Sequence, residues 1–239
     1  MMGFSMIGSG MIPGRAPFWT WREVALFLGL YLPAFALAGL IYRLLPWKIP
    51  GLAAPSLVPQ LIGYGLWFLG LYGVLRLSYN DRIREGLAWR LPKAGIGVSL
   101  FGGPLLAIVV TVFGVLLRTP EVENQIRTWL NADPVSLILT AVFAIMLAPL
   151  FEEVAFRGFL QPLAIQAVGT FLGIVLTAVP FAMIHGPQVH WSWQHLLLLT
   201  LAGSVFGWVR FRTGSTVAST IMHSTYNLTQ LVAYLATTR

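Results

Sequence analysis

The chain has 239 residues, of which 57% are hydrophobic and 10% charged, with a net charge of +7 and a mean hydropathy of +0.77. A water-soluble domain carries about 25% charged residues, so this composition excludes one and requires apolar surface to face lipid. The 15 basic residues lie largely in loops between apolar runs, where anionic headgroups and the positive-inside rule account for them. Nucleic acid is therefore not expected as a partner. The absence of cysteine excludes disulfides, thiolate nucleophiles and Cys-based metal sites.

In chain order, residues 1–23 read as a short tail ending in an interfacial aromatic anchor (Phe18, Trp19, Trp21). They do not read as a cleaved leader, because Arg15 lies about ten residues ahead of the first long apolar run. A spanning helix needs about 20 mostly apolar residues. On that basis spans are expected at 24–42, 56–78, 95–117, 134–156, 170–185, 194–210 and 215–236. The fourth has room to continue to 168 as one long helix, and Pro149 would kink it by removing a backbone donor. Loop 43–55 contains Pro46, Pro50 and Pro55 and cannot be helical throughout. Segment 79–94 is polar and basic, and loop 118–133 holds Glu121, Glu123, Arg127 and Asp133. His190 and His195 stand beside Trp191 and Trp193, an interfacial aromatic-belt composition. Gly203 and Gly207, four apart, read as a site of close helix packing.

The fold expected is all-α: a polytopic membrane helical bundle of about seven helices, or eight with an added N-terminal or in-plane element. It forms one structural unit, with N-terminal transmembrane helices over 24–133 and a motif-bearing core over 134–239. Counting Lys and Arg on alternate sides gives ten against five, which favours a cytoplasmic N-terminus.

Ionisable groups within apolar spans are costly and usually functional. Glu152 and Glu153 lie in the fourth span, His185 ends the fifth, and His223 and Asn227 share the seventh. Glu153 precedes Arg157 by four residues, the favoured order for a helical ion pair. His223 and Asn227, also four apart, share a helix face. If the fourth and fifth spans form a hairpin at Gly169, Glu152 lies 17 residues before the turn and His185 lies 16 after it. At about 1.5 Å per residue both are about 25 Å from the turn and level with each other. His223 and Asn227 come out at about 13–20 Å from the same face, so tilt or a kink must close the gap. Taken singly, each group has a plain structural reading: an ion pair, an interfacial histidine, interhelical hydrogen bonds. Together they suggest water activation. A carboxylate with a nearby His would serve as general base, and a second His with Asn would donate to a developing oxyanion.

Glu-Glu-x-x-x-Arg at 152–157, Phe-x-x-x-His at 181–185 and His-x-x-x-Asn at 223–227, in that order on successive helices, resemble the CAAX prenyl endopeptidase and bacteriocin-processing (Abi, CPBP) family of intramembrane proteases. Phe-Arg-Gly-Phe-Leu at 156–160 resembles the flank of the family's first motif, and the resemblance covers about 130–236. It implies that Glu152, with His185, activates water for peptide hydrolysis. It further implies that His223 and Asn227 stabilise the oxyanion, while Glu153 and Arg157 support the motif helix. The substrate implied is a peptide or membrane protein met in the lipid bilayer, with localisation to the plasma membrane of a prokaryote. No metal cofactor is expected. If zinc were used, Glu152, His185 and His223 would be its ligands, although no His-Glu-x-x-His signature is present. Two other readings are a catalytically silent scaffold or bacteriocin-immunity partner, and a small proton-coupled transporter. The hairpin places Glu152 and His185 far from the basic face, whereas eukaryotic relatives cleave on the cytosolic side. Only kinked helices reconcile the two.

Overall fold

A computed structural model describes residues 17–79, 83–92 and 95–238, and every regular element among them is helical. The expected tail over 1–16, and the contributions of Arg15, Arg82, Lys93 and Arg239 to the charge count, lie outside the described residues.

The first long helix, α1 (Trp21–Leu44), opens on a capping box. The Thr20 hydroxyl accepts from the Arg22 amide at 3.2 Å, and the Glu23 carboxylate accepts the Thr20 amide at 2.7 Å, which satisfies amides that the first turn leaves without partners. A turn at Leu30 divides α1 into Trp21–Gly29 and Tyr31–Leu44. The second helix, α2 (Ala54–Tyr79), packs back along it. A single helical turn at Ile83–Gly86 leads towards α3 (Ile96–Leu116). The loop expected over 118–133 contains a helix, α4 (Gln125–Ala132), started by the Asn124 side chain accepting from the Arg127 amide at 3.0 Å.

The fourth expected span is one continuous helix, α5 (Pro134–Val168), of 35 residues. Asp133 caps it and Pro134 stands at its first position, where the missing N–H costs nothing. Asp133 and Ser136 also anchor the preceding proline-rich loop, accepting the amides of Leu52 at 3.1 Å and Ala53 at 2.9 Å. The kink expected at Pro149 takes the form of a wider π turn over Phe143–Leu147, and a second π turn covers Val154–Leu160. Each ends just ahead of a proline, Pro149 or Pro162. A proline ring clashes with the carbonyl four residues back, and a locally widened helix relieves that clash.

Gly169 (φ +85°) turns the chain into α6 (Thr170–Ile184), which packs antiparallel to α5. A 3₁₀ turn over Gly186–Val189 leads to α7 (Trp193–Thr213), which ends on Gly214 in the left-handed conformation (φ +59°). The last helix is α8 (Thr216–Thr238). It lies along α3, and their closest approach needs Gly103. A Cβ there would come within 2.5 Å of the Met222 carbonyl and 2.6 Å of the Tyr226 amide.

Helices therefore stand at all seven expected positions. Five of them (α1, α2, α3, α5 and α7) are long and apolar enough to cross a membrane, whereas α6 is apolar but only 15 residues long. Leu32, Phe101 and Phe171 are 75%, 76% and 77% exposed, as suits side chains that face lipid. The protein is an integral membrane protein. Two buried clusters flank α5. On one side Trp19, Phe27, Leu71 and Leu75 pack with Phe159 and Leu163 of α5; on the other, Leu106, Phe206, Ala218 and Met222 join α3, α7 and α8.

Candidate active site

The site grows from α5, whose consecutive residues Glu152 and Glu153 point about 100° apart. Glu153 faces the protein. Its carboxylate is fully buried and lies 3.0 Å from the equally buried Arg157 guanidinium one turn on. Arg157 also donates to the Gly203 carbonyl at 2.8 Å, and one turn further Gln161 donates to the Gly207 carbonyl at 2.9 Å. The two glycines singled out for close packing are thus the acceptors of a two-rung ladder between α5 and α7. A Cβ on Gly207 would approach the Gln161 side chain to 2.7 Å.

Glu153 has a second partner that the spacing did not suggest. His223 of α8 donates from Nδ1 to its carboxylate at 3.0 Å. The ring of His223 stacks on Phe206 (centroids 4.6 Å apart, 19° between planes) and meets Phe181 edge-on at 5.7 Å. Phe181 also lies 4.3 Å beneath the Arg157 cation and 5.0 Å from His185. His185, at the C-terminus of α6, donates Nδ1 to the Phe181 carbonyl at 2.8 Å.

Both imidazoles therefore commit Nδ1 to an acceptor, so each neutral ring presents the Nε2 lone pair on its other edge. Both lone pairs face Glu152. His185 Nε2 is 3.8 Å from one carboxylate oxygen and His223 Nε2 is 3.9 Å from the other. These gaps are too long for direct hydrogen bonds. The Glu152 side chain is 11% exposed, which leaves it a little access from outside the bundle. The residual gap between His223 and the hairpin pair is closed by the course of α5, with its two π turns, and α8 reaches both glutamates.

Asn227 is engaged elsewhere: its Nδ2 donates to the Ala144 carbonyl at 2.7 Å. The first π turn explains why that carbonyl needs a donor. The Ala148 amide bonds to Phe143, and Pro149 has no amide to offer, so the helix supplies Ala144 with neither partner. Trp19 makes a comparable bond to the second π turn, donating Nε1 to the Phe159 carbonyl at 3.0 Å.

A cavity of about 400 Å³ is lined in part by Arg127, Val189, His195, Tyr226 and Gln230, and none of the candidate site residues lines it. Val189 follows His185 by four residues, and Tyr226 follows His223 by three and meets Phe206 at 5.8 Å. His195, expected at the interface, lines this cavity, and its buried Nδ1 has no partner among the described residues. His190 takes a left-handed conformation (φ +50°) at the end of the 3₁₀ turn.

The structure thus brings Glu152, Glu153, Arg157, His185 and His223 together and ties Asn227 to the first π turn. Spacing alone did not show the Glu153–His223 bond, the Gln161–Gly207 rung or the central position of Phe181. The period of four shared by Arg157 and Gln161 with Gly203 and Gly207 was the available signal for the rung. Among the described residues no three His, Asp or Glu side chains are arranged to hold a metal ion.

Residues 134–229 match the model of a family described as Type II CAAX prenyl endopeptidase Rce1-like. The matched segment contains all six candidate site residues, Glu152, Glu153, Arg157, His185, His223 and Asn227, and α1 to α4 lie outside it. No curated protein and no solved structure matches the chain.

Proposed function

We propose, from the match of residues 134–229 to the CAAX prenyl endopeptidase family model, that the chain is an intramembrane endopeptidase using a glutamate-activated water. The observation that carries this reading is the convergence of the Glu152 carboxylate and two Nε2 lone pairs, at 3.8 and 3.9 Å, inside a helical bundle.

In this reading a water sits between Glu152 and His185. Glu152 takes its proton as the water oxygen bonds to the scissile carbonyl carbon. His185, held by Phe181, orients the same water. The carbonyl oxygen becomes an oxyanion, stabilised by the Asn227 N–H that Ala144 does not use and by His223 once its Nε2 carries a proton. The proton held by Glu152 then passes to the amide nitrogen, the C–N bond breaks, and an amine and a carboxylic acid leave. Because water is the attacking nucleophile, the route has no covalent intermediate. Glu153 and Arg157 hold His223 in its tautomer and position.

The substrate is a peptide or a membrane protein. The N-terminus lies on the cytoplasmic side of a prokaryotic plasma membrane. The test is cleavage of a fluorogenic peptide library, with prenylated members, by the purified protein beside Glu152→Gln, with and without chelator. Loss of cleavage in the variant and resistance to chelator support the proposal, and an active Glu152→Gln variant refutes it.

A further inference from the structure

An oxyanion hole commonly presents more than one donor to the developing charge. Counted over the proposed site, the donors fall short. Glu152 is an acceptor. His185 and His223 have spent their Nδ1 protons on Phe181 and Glu153 and present lone pairs until one of them takes up a proton. Asn227 has given one N–H to Ala144 and has one left. A second neutral donor must come from another part of the fold.

Tyr64 of α2 answers this description. Its ring lies parallel to Phe151, the residue before Glu152, with centroids 4.9 Å apart and 21° between planes. It also stacks with Phe143 in the first π turn at 6.2 Å, and Phe35 packs edge-on against it at 5.5 Å. These contacts leave the ring little freedom. The Gln60 amide, one turn back, donates to the Tyr64 hydroxyl at 3.4 Å. That fills one acceptor position of the hydroxyl and leaves its own proton without an acceptor among the described residues. The ring packs on α5 both one residue before Glu152 and one residue before Ala144, whose carbonyl Asn227 bonds. A helix outside the family-matched segment thus sets a free O–H donor beside the motif helix.

We propose that the Tyr64 hydroxyl is a catalytic donor to the oxyanion, sharing that charge with Asn227. The inference rests on the protease reading above. Tyr64 does not enter the proton transfers: its O–H bond stays intact, and its hydrogen bond strengthens as the carbonyl oxygen gains charge.

The test is Tyr64→Phe in the full-length purified protein, run beside wild type and Glu152→Gln on a peptide that the wild type cleaves. Phenylalanine keeps the stack on Phe151 and removes only the hydroxyl. The expected result is a fall in kcat of about 10²-fold, the size measured for deleting one oxyanion donor, with KM within about threefold and an unchanged melting midpoint. Placed in the Glu152→Gln background, the same change should leave peptide binding as it was. A kcat within about threefold of wild type overturns the proposal while leaving the protease reading intact. A fall in kcat that tracks a lower melting midpoint or weaker peptide binding also overturns it, because Tyr64 would then act only by packing. A folded wild type that cleaves nothing overturns the protease reading, and Tyr64 with it.

Discussion

Arg157→Met puts the buried pair under the α5–α7 ladder to its most direct test. Arg157 and Glu153 are almost completely shielded from solvent, 3.0 Å apart, and Arg157 also donates to Gly203 at 2.8 Å. Methionine fills much of the space but leaves the Glu153 carboxylate without its cation. Removing one member of a buried ion pair costs about 3–5 kcal/mol, because the other charge stays uncompensated. The lost interhelical hydrogen bond adds about 0.6–1.7 kcal/mol on the scale measured in membrane bundles. The expected loss is therefore about 4–7 kcal/mol, comparable to the whole stability of a marginally stable protein. The double variant Glu153→Gln/Arg157→Met removes both charges and keeps a side-chain acceptor for His223, so most of that loss should return. Reversible unfolding in mixed detergent micelles, followed by tryptophan fluorescence, reads all three proteins. A single variant within about 1 kcal/mol of wild type, or a double variant no better than the single, would refute the reasoning.

Asn227→Ala leaves the Ala144 carbonyl without a donor inside the bundle. It should cost about 1–3 kcal/mol in the same unfolding assay and slow cleavage as well; lost cleavage with full stability would show that the amide does not hold the π turn. Asp133 accepts hydrogen bonds from the Ser136 hydroxyl and amide and from the Leu52 amide, chiefly the first of which holds its carboxyl below the usual range. A lowered folded-state pKa gives stability that is present above the ordinary Asp value, about 4, and is lost as pH falls through the folded value. Asp133→Asn should therefore lower the melting midpoint at neutral pH, with the difference shrinking on acidification. A difference that stays constant with pH would contradict this.

Much of the architecture was legible because depth along a helix follows from residue count. Gly169 does turn the α5–α6 hairpin, and Glu152 and His185 do meet across it, as a rise of about 1.5 Å per residue requires. Residue count does not report rotation about the axis once a helix widens. The π turns ahead of Pro149 and Pro162 alter which face each later side chain presents, so the pairing of His223 with Glu153 could not be read from spacing. The same widening created the need at Ala144 that Asn227 meets. Pro149 signalled a kink, but a kink and a π turn have the same sequence cue. Helix α4 reads as loop in the sequence because it has only eight residues, half of them polar, too few to show a clear apolar period. The seven-span count rested on apolar runs, and it weakened where α6 proved short and α8 carried the polar side chains of the site. The donor in α2 was invisible from the motifs, since α2 contributes none of them.

The central claim is that Glu152 and His185 activate water for peptide cleavage without a metal. It is tested most directly by turnover of a cleaved fluorogenic peptide by wild type, Glu152→Gln and His185→Ala, each folded, in excess chelator. The account predicts that wild type keeps its rate and that each variant loses about 10²–10⁴-fold in kcat, the range for removing a general base. Wild-type turnover abolished by chelator and restored by zinc, or variants that turn over at the wild-type rate, would contradict it.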